Sequence, residues 1–488
     1  MNTRYLFLAL ILSAVCRIAG AQEVMTLEKC RETALENNKS GAIATLNSDK
    51  AAYTGNAYRA NYFPKISASG NYLHTGMQMS GKIPEAYLPT FVPNPATGGL
   101  SPNIVTGPDG NPLVGADGNP VFREYAFFPG MDLSLGLKNF WMAGVKAEQP
   151  IYTGGKIASA YRMAQIGREI AGLNLQLSRA EIVVKTDEAY WTCIQTNELL
   201  KLALSYRETL GELLRSVQAA EEAGMKHRND ALKVQVKMNE AELQLRRAEN
   251  GLRLARRNLC YVMGIPPDSE LRLPESFEGA VPEDVVAKAV EGVSSPRSAD
   301  CSRRPEYAML EKQTRLKEQE IALVRSDFLP KVGVVAGYGY TNGGTLNGNK
   351  LFDRASFSVL ASVNVPLFQW GEGRNKIRAA KAERDIARLQ HENLGEQMAL
   401  ELSRAVDKCD ESTLEVKLTE HSLLQAEENR KVCAMQYEGG METLSAYLEA
   451  QTAWQQARME HVNALTRQQL NETYYLKAKG ILGGNSEF

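Results

Sequence analysis

The chain has 488 residues, and its 56 Lys plus Arg nearly balance its 57 Asp plus Glu. A nucleic-acid partner normally requires a basic excess, so the composition speaks against one. A chain of this length is too long for a single ordinary hydrophobic core, so it predicts two or three domains or one very elongated domain. The seven Cys are widely spaced, with no C-x-x-C pair and no His at ligand spacing, which argues against a disulfide framework or a zinc site and predicts single buried thiols.

The N-terminus, residues 1–21, has the pattern of a secretory signal peptide. One basic residue precedes an apolar run from Tyr5 to Val15, and Ala19-Gly20-Ala21 forms a cleavage site before Gln22. Cys16 leaves a lipoprotein signal open as an alternative, although Val15 is bulkier than the residue that normally precedes a lipidated Cys. The rest of the sequence lacks the run of about 20 apolar residues that a membrane helix needs.

The segment 77–130 differs in composition from the rest of the chain. It contains nine of the 19 Pro and two similar turns, GPDGNP and GADGNP. Such turn chemistry predicts a long exposed loop with little regular structure. Calcium binding by the Asp and Asn of these turns is an alternative interpretation. The EF-hand spacing is absent, however, so plain turns are the favoured interpretation.

Two long stretches of helix-forming residues follow. The first, Lys156 to Ala223, would form a rod of ~100 Å at 1.5 Å per residue. The second, Asp230 to Val262, has apolar residues at alternating spacings of three and four, which predicts a coiled-coil seam. The seam consists of Ala231, Val234, Met238, Ala241, Leu245, Ala248, Leu252, Ala255, Leu259 and Val262.

Several features recur at one constant offset along the chain, equal to the difference between positions 366 and 150. We call this difference the repeat offset. The pairs are Pro150 and Pro366, Gly224 and Gly440 (each followed by Met), and Gly264 and Gly480 (each followed by Ile). We therefore predict a tandem duplication, with a first repeat at 22–265, a linker at 266–302 and a second repeat at 303–488. The similar segments NYFPK and DFLPK lie further apart than this offset, because the first repeat carries the loop at 77–130.

The second copy of the seam differs from the first in character. Its members are Tyr447, Ala450, Trp454, Ala457, His461, Ala464, Gln468, Asn471, Tyr475 and Ala478. The Ala row largely persists, while the other row is aromatic and polar. One interpretation is a soluble antiparallel hairpin with a mixed core. The favoured interpretation is a helix that packs against two different neighbours, because the polar members would form a poor core.

The strand candidates are few and occur in pairs. In a predicted hairpin at 328–368, residues 331–340 and 356–367 alternate apolar side chains with small or polar ones. The pattern is that of a membrane-barrel strand, although a half-buried strand of a soluble sandwich alternates in the same way. Two hairpins give four strands per chain, fewer than the minimum of about eight for a closed barrel, so a barrel would need several chains.

In the order and duplication of these motifs, the sequence resembles the outer-membrane efflux protein family, the TolC-like trimeric channels of Gram-negative bacteria. The resemblance rests on MTLEKCRETALENNKS, the YFPK and FLPK strand entries, PIYTGGK and PLFQWGEG before the long helices, and RRPEY at 303–307. It covers nearly all of the chain after the signal peptide.

The resemblance implies a mainly α fold with a small β part. Long antiparallel coiled-coil helices would form a periplasmic α-barrel, and four strands per chain would contribute to a trimeric 12-stranded β-barrel in the outer membrane. The implied function is the exit duct of a tripartite efflux or type I secretion system. The implied partners are two further copies of the chain, outer-membrane lipid, a periplasmic adaptor and, through it, an inner-membrane pump of RND or ABC type. No cofactor or metal is implied.

The resemblance also assigns roles to residues near the two Gly-Met pairs. It places Gly224, Met225, Gly440 and Met441 at periplasmic tips that dock the adaptor. Glycine gives the backbone freedom that a reversal of the chain needs.

Polar links between helices close the entrance in this family, and Asp230 and Tyr437 match two of their members. The family's Arg is replaced by Glu442, so Lys226 or Arg228 would have to substitute for it.

Two acidic rings line the family's constriction, and only the one that matches Glu449 is retained, because Ala446 stands at the other. Three copies of Glu449 around one axis would favour cations. Two plainer interpretations remain open: Asp230 as a helix N-cap, and Glu449 as part of a solvated helix face.

Two other classes of protein compete with the channel. An enzyme is disfavoured because the sequence has no Walker A motif, nucleophile elbow or H-E-x-x-H, and GYGYTNGG opens no helix. A periplasmic coiled-coil adaptor, or a structural envelope protein without a pore, would explain the helices and the signal peptide. It would leave the alternating hairpins without a role.

Overall fold

A computed structural model describes residues 24–274, 277 and 303–482. The predicted signal peptide and most of the predicted linker at 266–302 lie outside the described residues. The chain divides into a helical unit, at 1–59, 158–325 and 370–488, and a strand-rich unit, at 60–157 and 326–369. Within the described ranges, no helix is both long enough and apolar enough to cross a membrane.

Seven helices are present in the described part of the chain. They are α1 (Leu27–Asn37), α2 (Lys39–Ala60), α3 (Lys156–Glu222), α4 (Arg228–Met263), α5 (Pro305–Ser326), α6 (Glu372–Glu438) and α7 (Leu444–Ala478). Helices α3 and α6 have 67 residues each. The repeat offset carries both ends of α3 onto the two ends of α6, so the helix boundaries repeat as the sequence does.

The core of the helical unit lies along α3. Its middle part, around Tyr190 and Trp191, packs against Cys30 of α1 and Leu259 of α4. A second cluster, nearer the end of α3, joins Leu210 to residues of α4 and α7. All ten members of the predicted α4 seam are buried or half-buried, which confirms the seam.

Helix α7 packs on two sides, as the favoured interpretation of its polar seam predicts. Toward α6, the Thr419 hydroxyl lies 3.2 Å from Nδ1 of His461. Toward α3, Gln195 donates to Asn463 at 2.7 Å. His461 of the second seam thus contacts α6, while the nearby Asn463 contacts α3, and the two-neighbour interpretation is confirmed.

The strand-rich unit is built on four long antiparallel strands. They are β1 (Lys65–His74), β8 (Asn139–Tyr152), β9 (Lys331–Leu346) and β10 (Asn349–Asn364), in the order β1-β8-β9-β10. The register pairs Lys65 with Glu148 and Val363 with Val332. Among the described residues, β1 and β10 each pair with one strand only, so each leaves one edge open.

The second hairpin is longer at its turn than the alternation predicts. The predicted strands covered 331–340 and 356–367, whereas β9 and β10 both extend to a two-residue turn at Asn347 and Gly348. These two residues have φ of 52° and 82°, the positive values that a type I′ turn requires. The alternation pattern does not predict this extension, because the added residues include polar side chains on both faces of the strands.

The segment 77–130, hereafter the insert, corrects one prediction. Its strands, which continue shortly beyond it, are β2 (Gln78–Ile83), β3 (Ala86–Pro89), β4 (Phe91–Pro93), β5 (Leu100–Pro102), β6 (Tyr125–Phe128) and β7 (Met131–Gly136). The prediction of little regular structure is wrong, because β2 pairs with β7, β3 with β6 and β4 with β5. Most of its Pro stand at strand ends or in turns, where they allow pairing between distant segments. The predicted exposure is confirmed, since no residue of the insert is buried.

Candidate functional site

The two Gly-Met turns have the same hydrogen-bonded geometry. In each, the Gly N–H donates to the carbonyl three residues earlier, at 2.9 and 3.1 Å, and the Met N–H donates to the carbonyl five residues earlier, at 2.8 Å in both. This is the Schellman closure of a helix, with a left-handed residue just past its end. Gly224 and Gly440 have φ of 75° and 71°, and a Cβ at either position would touch nothing within 4 Å. Glycine is therefore required there by backbone conformation and not by packing.

Each turn exposes its methionine. Met225 is 75% exposed and Met441 is 77% exposed. The methionine side chain is flexible and polarisable, and such side chains are common at surfaces that bind partners. The two turns therefore present equivalent adaptable apolar contacts.

A stack of side chains links the first turn to α6 and α7. Nζ of Lys226 lies 4.6 Å from the centre of the Tyr437 ring. The Tyr437 ring stacks on Tyr447, with centroids 5.4 Å apart and planes within 4°. Gln451 then donates to the Tyr447 hydroxyl at 2.8 Å. A cation over an aromatic ring is attracted by the electron-rich face. We call these four residues the tip ladder.

Asp230 is not the N-cap of α4, so that interpretation of the residue is wrong. The cap is His227, which has extended backbone angles and makes no side-chain capping bond. Because the helix begins at Arg228, Asp230 falls in its first turn, where a carboxylate is favoured by the helix dipole. Its Oδ1 lies 3.9 Å from Nζ of Lys233. Burial raises the pKa of Tyr437, and the charge of Asp230 raises it further, so these two predicted residues lie in one neighbourhood.

Glu449 lies on the wall of a groove between α4 and α7. The groove, which we call the tip groove, has a volume of about 600 Å³. Its lining residues are Asn229, Leu232, Lys233, Val236, Lys237, Ser445, Leu448, Glu449 and Thr452. Glu449 is exposed, with Lys233 and Lys237 on the opposite wall. The groove therefore offers apolar contact together with charges of both signs.

Glu442 stands where the resemblance expects an Arg, and it stabilises the start of α7. Its carboxylate accepts from the Thr443 N–H at 2.9 Å, while the Thr443 hydroxyl accepts from the Ala446 N–H at 3.2 Å. Of the two predicted substitutes for the missing Arg, Lys226 is the one that lies over the Tyr437 ring.

The sequence analysis did not assign Tyr447 and Gln451 to the candidate site. Tyr447 did appear as the first member of the second seam, four residues before Gln451. That spacing, which puts both side chains on one helix face, was the available signal.

A buried ion pair, also missed, joins three helices. The Asp187 side chain is fully buried and accepts from Nε and Nη2 of Arg31 at 2.7 and 2.6 Å. The Thr473 hydroxyl donates to the same carboxylate at 2.8 Å. The pair fixes α1 and α7 to α3. No local pattern signals it, because the three residues are 156 and 286 positions apart.

Three of the cysteines are buried in the helical unit. Cys30, Cys193 and Cys260 are free thiols, and all three are buried. Burial raises the pKa of Cys30 and of Cys193 to about 12, and the neighbouring thiol Cys260 adds to both shifts. The prediction of unpaired buried thiols is confirmed for these three residues, and two of them, Cys30 and Cys193, lie in one core cluster although they are far apart in the sequence.

The model of the outer membrane efflux protein family matches residues 30–264 and 299–476. The chain belongs to this family. The outer membrane protein OprJ of Pseudomonas aeruginosa is 22% identical over 280 residues, which are 57% of this chain and 51% of OprJ. The protein CyaE of Bordetella pertussis is 25% identical over 358 residues, 71% of this chain and 72% of CyaE.

A third relative is the alkaline protease secretion protein AprF of Pseudomonas aeruginosa, which is 24% identical over 235 residues, 48% of this chain and 47% of AprF. The matches with OprJ and AprF thus span about half the length of those relatives.

Solved structures share the fold of the chain. The Campylobacter jejuni CmeC outer membrane channel has a TM-score of 0.68 at 18% identity, covering 95% of this chain and 87% of CmeC. The outer-membrane channel OprN has a TM-score of 0.68 at 16% identity, covering 94% of this chain and 90% of OprN. The predicted fold class, mainly α with a small β part, is confirmed.

Family membership also fixes the location and the broad class. The chain is a protein of the Gram-negative outer membrane that extends into the periplasm. Its family is one of efflux proteins and not of enzymes.

Proposed function

We propose that the chain is one subunit of a homotrimeric outer-membrane channel, the exit duct of a tripartite efflux or type I secretion system. The open edges of the four-stranded sheet carry the proposal. Strands β1 and β10 each lack a second partner among the described strands, and every residue of both is exposed. A sheet in hydrocarbon has to close on itself, because unpaired backbone groups cannot bond to lipid. Three copies supply the twelve strands of a closed barrel.

The two Gly-Met turns are the surface that meets the rest of the system in this proposal. The two turns, Gly224-Met225 and Gly440-Met441, with their exposed methionines, would dock a periplasmic adaptor. The adaptor would connect the channel to an inner-membrane pump of RND or ABC type, which supplies the energy. The channel itself then needs no cofactor and no catalytic step.

The tip ladder and its neighbours form the closed entrance in this proposal. Lys226 provides the cation that the family pattern assigns to an Arg. Its ammonium group lies over the face of the Tyr437 ring. Asp230 adds a charge beside that ring. Glu449, repeated three times around the axis, forms an acidic ring that favours cations in transit.

A periplasmic adaptor is the alternative from another class. It would account for the long helices but would leave both edges of the sheet exposed to water, which favours aggregation. Resistance of the protein to carbonate extraction from membranes supports the channel, and release into the soluble fraction supports the adaptor.

Conductance in planar bilayers tests the proposal. We expect low resting conductance for the native protein and a severalfold increase when Asp230 and Tyr437, or Lys226 and Tyr437, are replaced together by Ala. The matched control is Lys237→Ala, which lines the groove but not the ladder. Unchanged conductance in both double variants would remove the entrance role. A complete lack of conductance in all variants would contradict the channel.

A further inference from the structure

We propose that the inserts of neighbouring copies pack against one another through their apolar side chains and form a protein collar at the outer end of the barrel. The inference rests on the proposed trimer. In this proposal, the partner that covers the insert's apolar surface is a second copy of this chain.

The insert is rich in apolar side chains that nothing in its own chain covers. No residue at 77–130 is buried, yet 13 large apolar side chains are well exposed. These are Met77, Met79, Ile83, Tyr87, Leu88, Phe91, Val92, Leu100, Leu113, Val114, Val121, Tyr125 and Phe127. Exposed apolar side chains at this density mark an interaction surface.

The insert is also poor in charge. Its charged residues number six, namely Lys82, Glu85, Asp109, Asp117, Arg123 and Glu124, and they form a far smaller share than the 23% of the whole chain. The centres of protein interfaces are depleted in charge in the same way. The two basic residues are outnumbered by four acidic ones, which disfavours anionic lipid headgroups as the occupant.

The apolar side chains are held in a fixed arrangement. The N–H groups of Val105, Leu113 and Val121 donate to the carbonyls of Val121, Val105 and Leu113, at 2.7, 2.8 and 2.8 Å, and so close a ring of three bonds. Tyr87 and Phe127 lie with ring centroids 5.2 Å apart. A surface with defined geometry can match the same surface on another copy.

The position of the insert in the sheet points to a second copy. Strand β2 begins four residues after β1 ends, and it pairs with β7. Strand β7 comes just before β8 in the chain and also pairs with β9, at Leu135 and Leu346. β2 therefore prolongs the open edge of β1. In the proposed barrel, that edge meets β10 of the next copy. The insert thus begins at the line where two copies join.

Photo-crosslinking in the detergent-extracted protein tests the inference. A benzoylphenylalanine at Leu100, which is 72% exposed, is expected to give covalent dimers and trimers whose crosslinks map to the insert of another copy. The same probe at Tyr53, equally exposed on α2, should give no crosslink to an insert.

The mass of the same preparation separates the two proposals. A trimer without crosslinks between inserts, or with crosslinks to lipid only, overturns the collar alone. A monomer overturns the proposed function and the collar with it.

A shortened variant gives an independent test. Residues 84–130 are replaced by Asn-Gly, which joins the paired residues Ile83 and Met131 by the same turn sequence that joins β9 and β10. The trimer should still form, because the long strands are unchanged, but its dissociation temperature should fall by several degrees. An unchanged dissociation temperature would overturn the collar.

Discussion

Helices α3 and α6 have the same length and the same place in the two repeats, yet they have different surroundings. Both contain 67 residues, but α3 buries 17 of them and α6 only five. Trp191 of α3 is almost fully buried, whereas Asp407, at the corresponding position of the second repeat, is exposed. The duplication has kept the length and the turn while the side chains have diverged.

The difference separates two constraints on the sequence, namely the length of each helix and the packing of its side chains. Equal helix lengths bring both Gly-Met turns to matching positions along their hairpins. Side chains instead follow the neighbours of each helix: α3 packs against α1, α4 and α7, whereas α6 exposes Leu414, Leu418, Leu424 and Met435. In the proposed trimer, the apolar face of α6 is covered by another copy.

The largest expected effect comes from Asp187 in the core of α3. Asp187→Ala removes the fully buried carboxylate to which Arg31 and Thr473 donate, and removing one member of a buried pair costs about 3–5 kcal/mol. Denaturant unfolding of the extracted protein, followed by helix content, measures the loss.

The repeat supplies a matched control for that variant. Ser403 corresponds to Asp187 under the repeat offset and lies on the half-buried surface of α6, so Ser403→Ala should change the free energy of unfolding by less than about 0.5 kcal/mol. Similar losses at both positions would show that the two helices are equally constrained.

A second prediction concerns the exposed face of α6. Leu418→Gln should leave the helix content of a single chain unchanged and weaken the trimer by about 1.5–3 kcal/mol at each interface, the value of a fully buried Leu. Light scattering over a dilution series measures trimer dissociation. Leu418→Met, which keeps the apolar surface, is the control. If the glutamine variant dissociates no more readily than native protein, α6 does not face a neighbouring copy.

Substitution of the glycine should destabilise the two Gly-Met turns equally, whereas substitutions in α3 and α6 should have unequal effects. Gly224→Ala and Gly440→Ala each force an L-residue into the left-handed region without any clash, at an expected cost of about 1–2 kcal/mol. Thermal unfolding of the two variants side by side measures the cost. A clear difference between them would contradict the equivalence of the turns.

The smallest effect is one of thiol reactivity, since Cys193 and Cys409 also occupy corresponding positions in the two repeats. Burial raises the pKa of Cys193 to about 12 and that of Cys409 to about 11. Only thiolates react, so at pH 8 both should label slowly, with Cys409 the faster of the two, and both rates should rise as pH increases toward 9. Mass spectrometry of the labelled peptides gives the two rates. Faster labelling of Cys193 would contradict the burial of α3.

Sequence periodicity predicted the parts of the fold that depend on local order. The α4 seam and the Gly-Met turns at Gly224 and Gly440 follow from spacing and from the conformational preference of glycine. The strands of the insert were missed because their pairing joins residues far apart, such as Ala86 and Phe128.

The candidate site was predictable to the same extent. Tyr437 and Asp230 could be named through a resemblance, since their spacing from the turn is local. The contact of Lys226 with the Tyr437 ring depends on how three helices meet, which no local pattern contains.

The mass of the protein extracted from outer membranes in mild detergent, measured by multi-angle light scattering, tests the proposed channel most directly. A protein mass of three chains is predicted, because four strands per chain close a barrel only when three copies combine. A mass of one chain in a preparation that retains its helix content would contradict the trimeric channel.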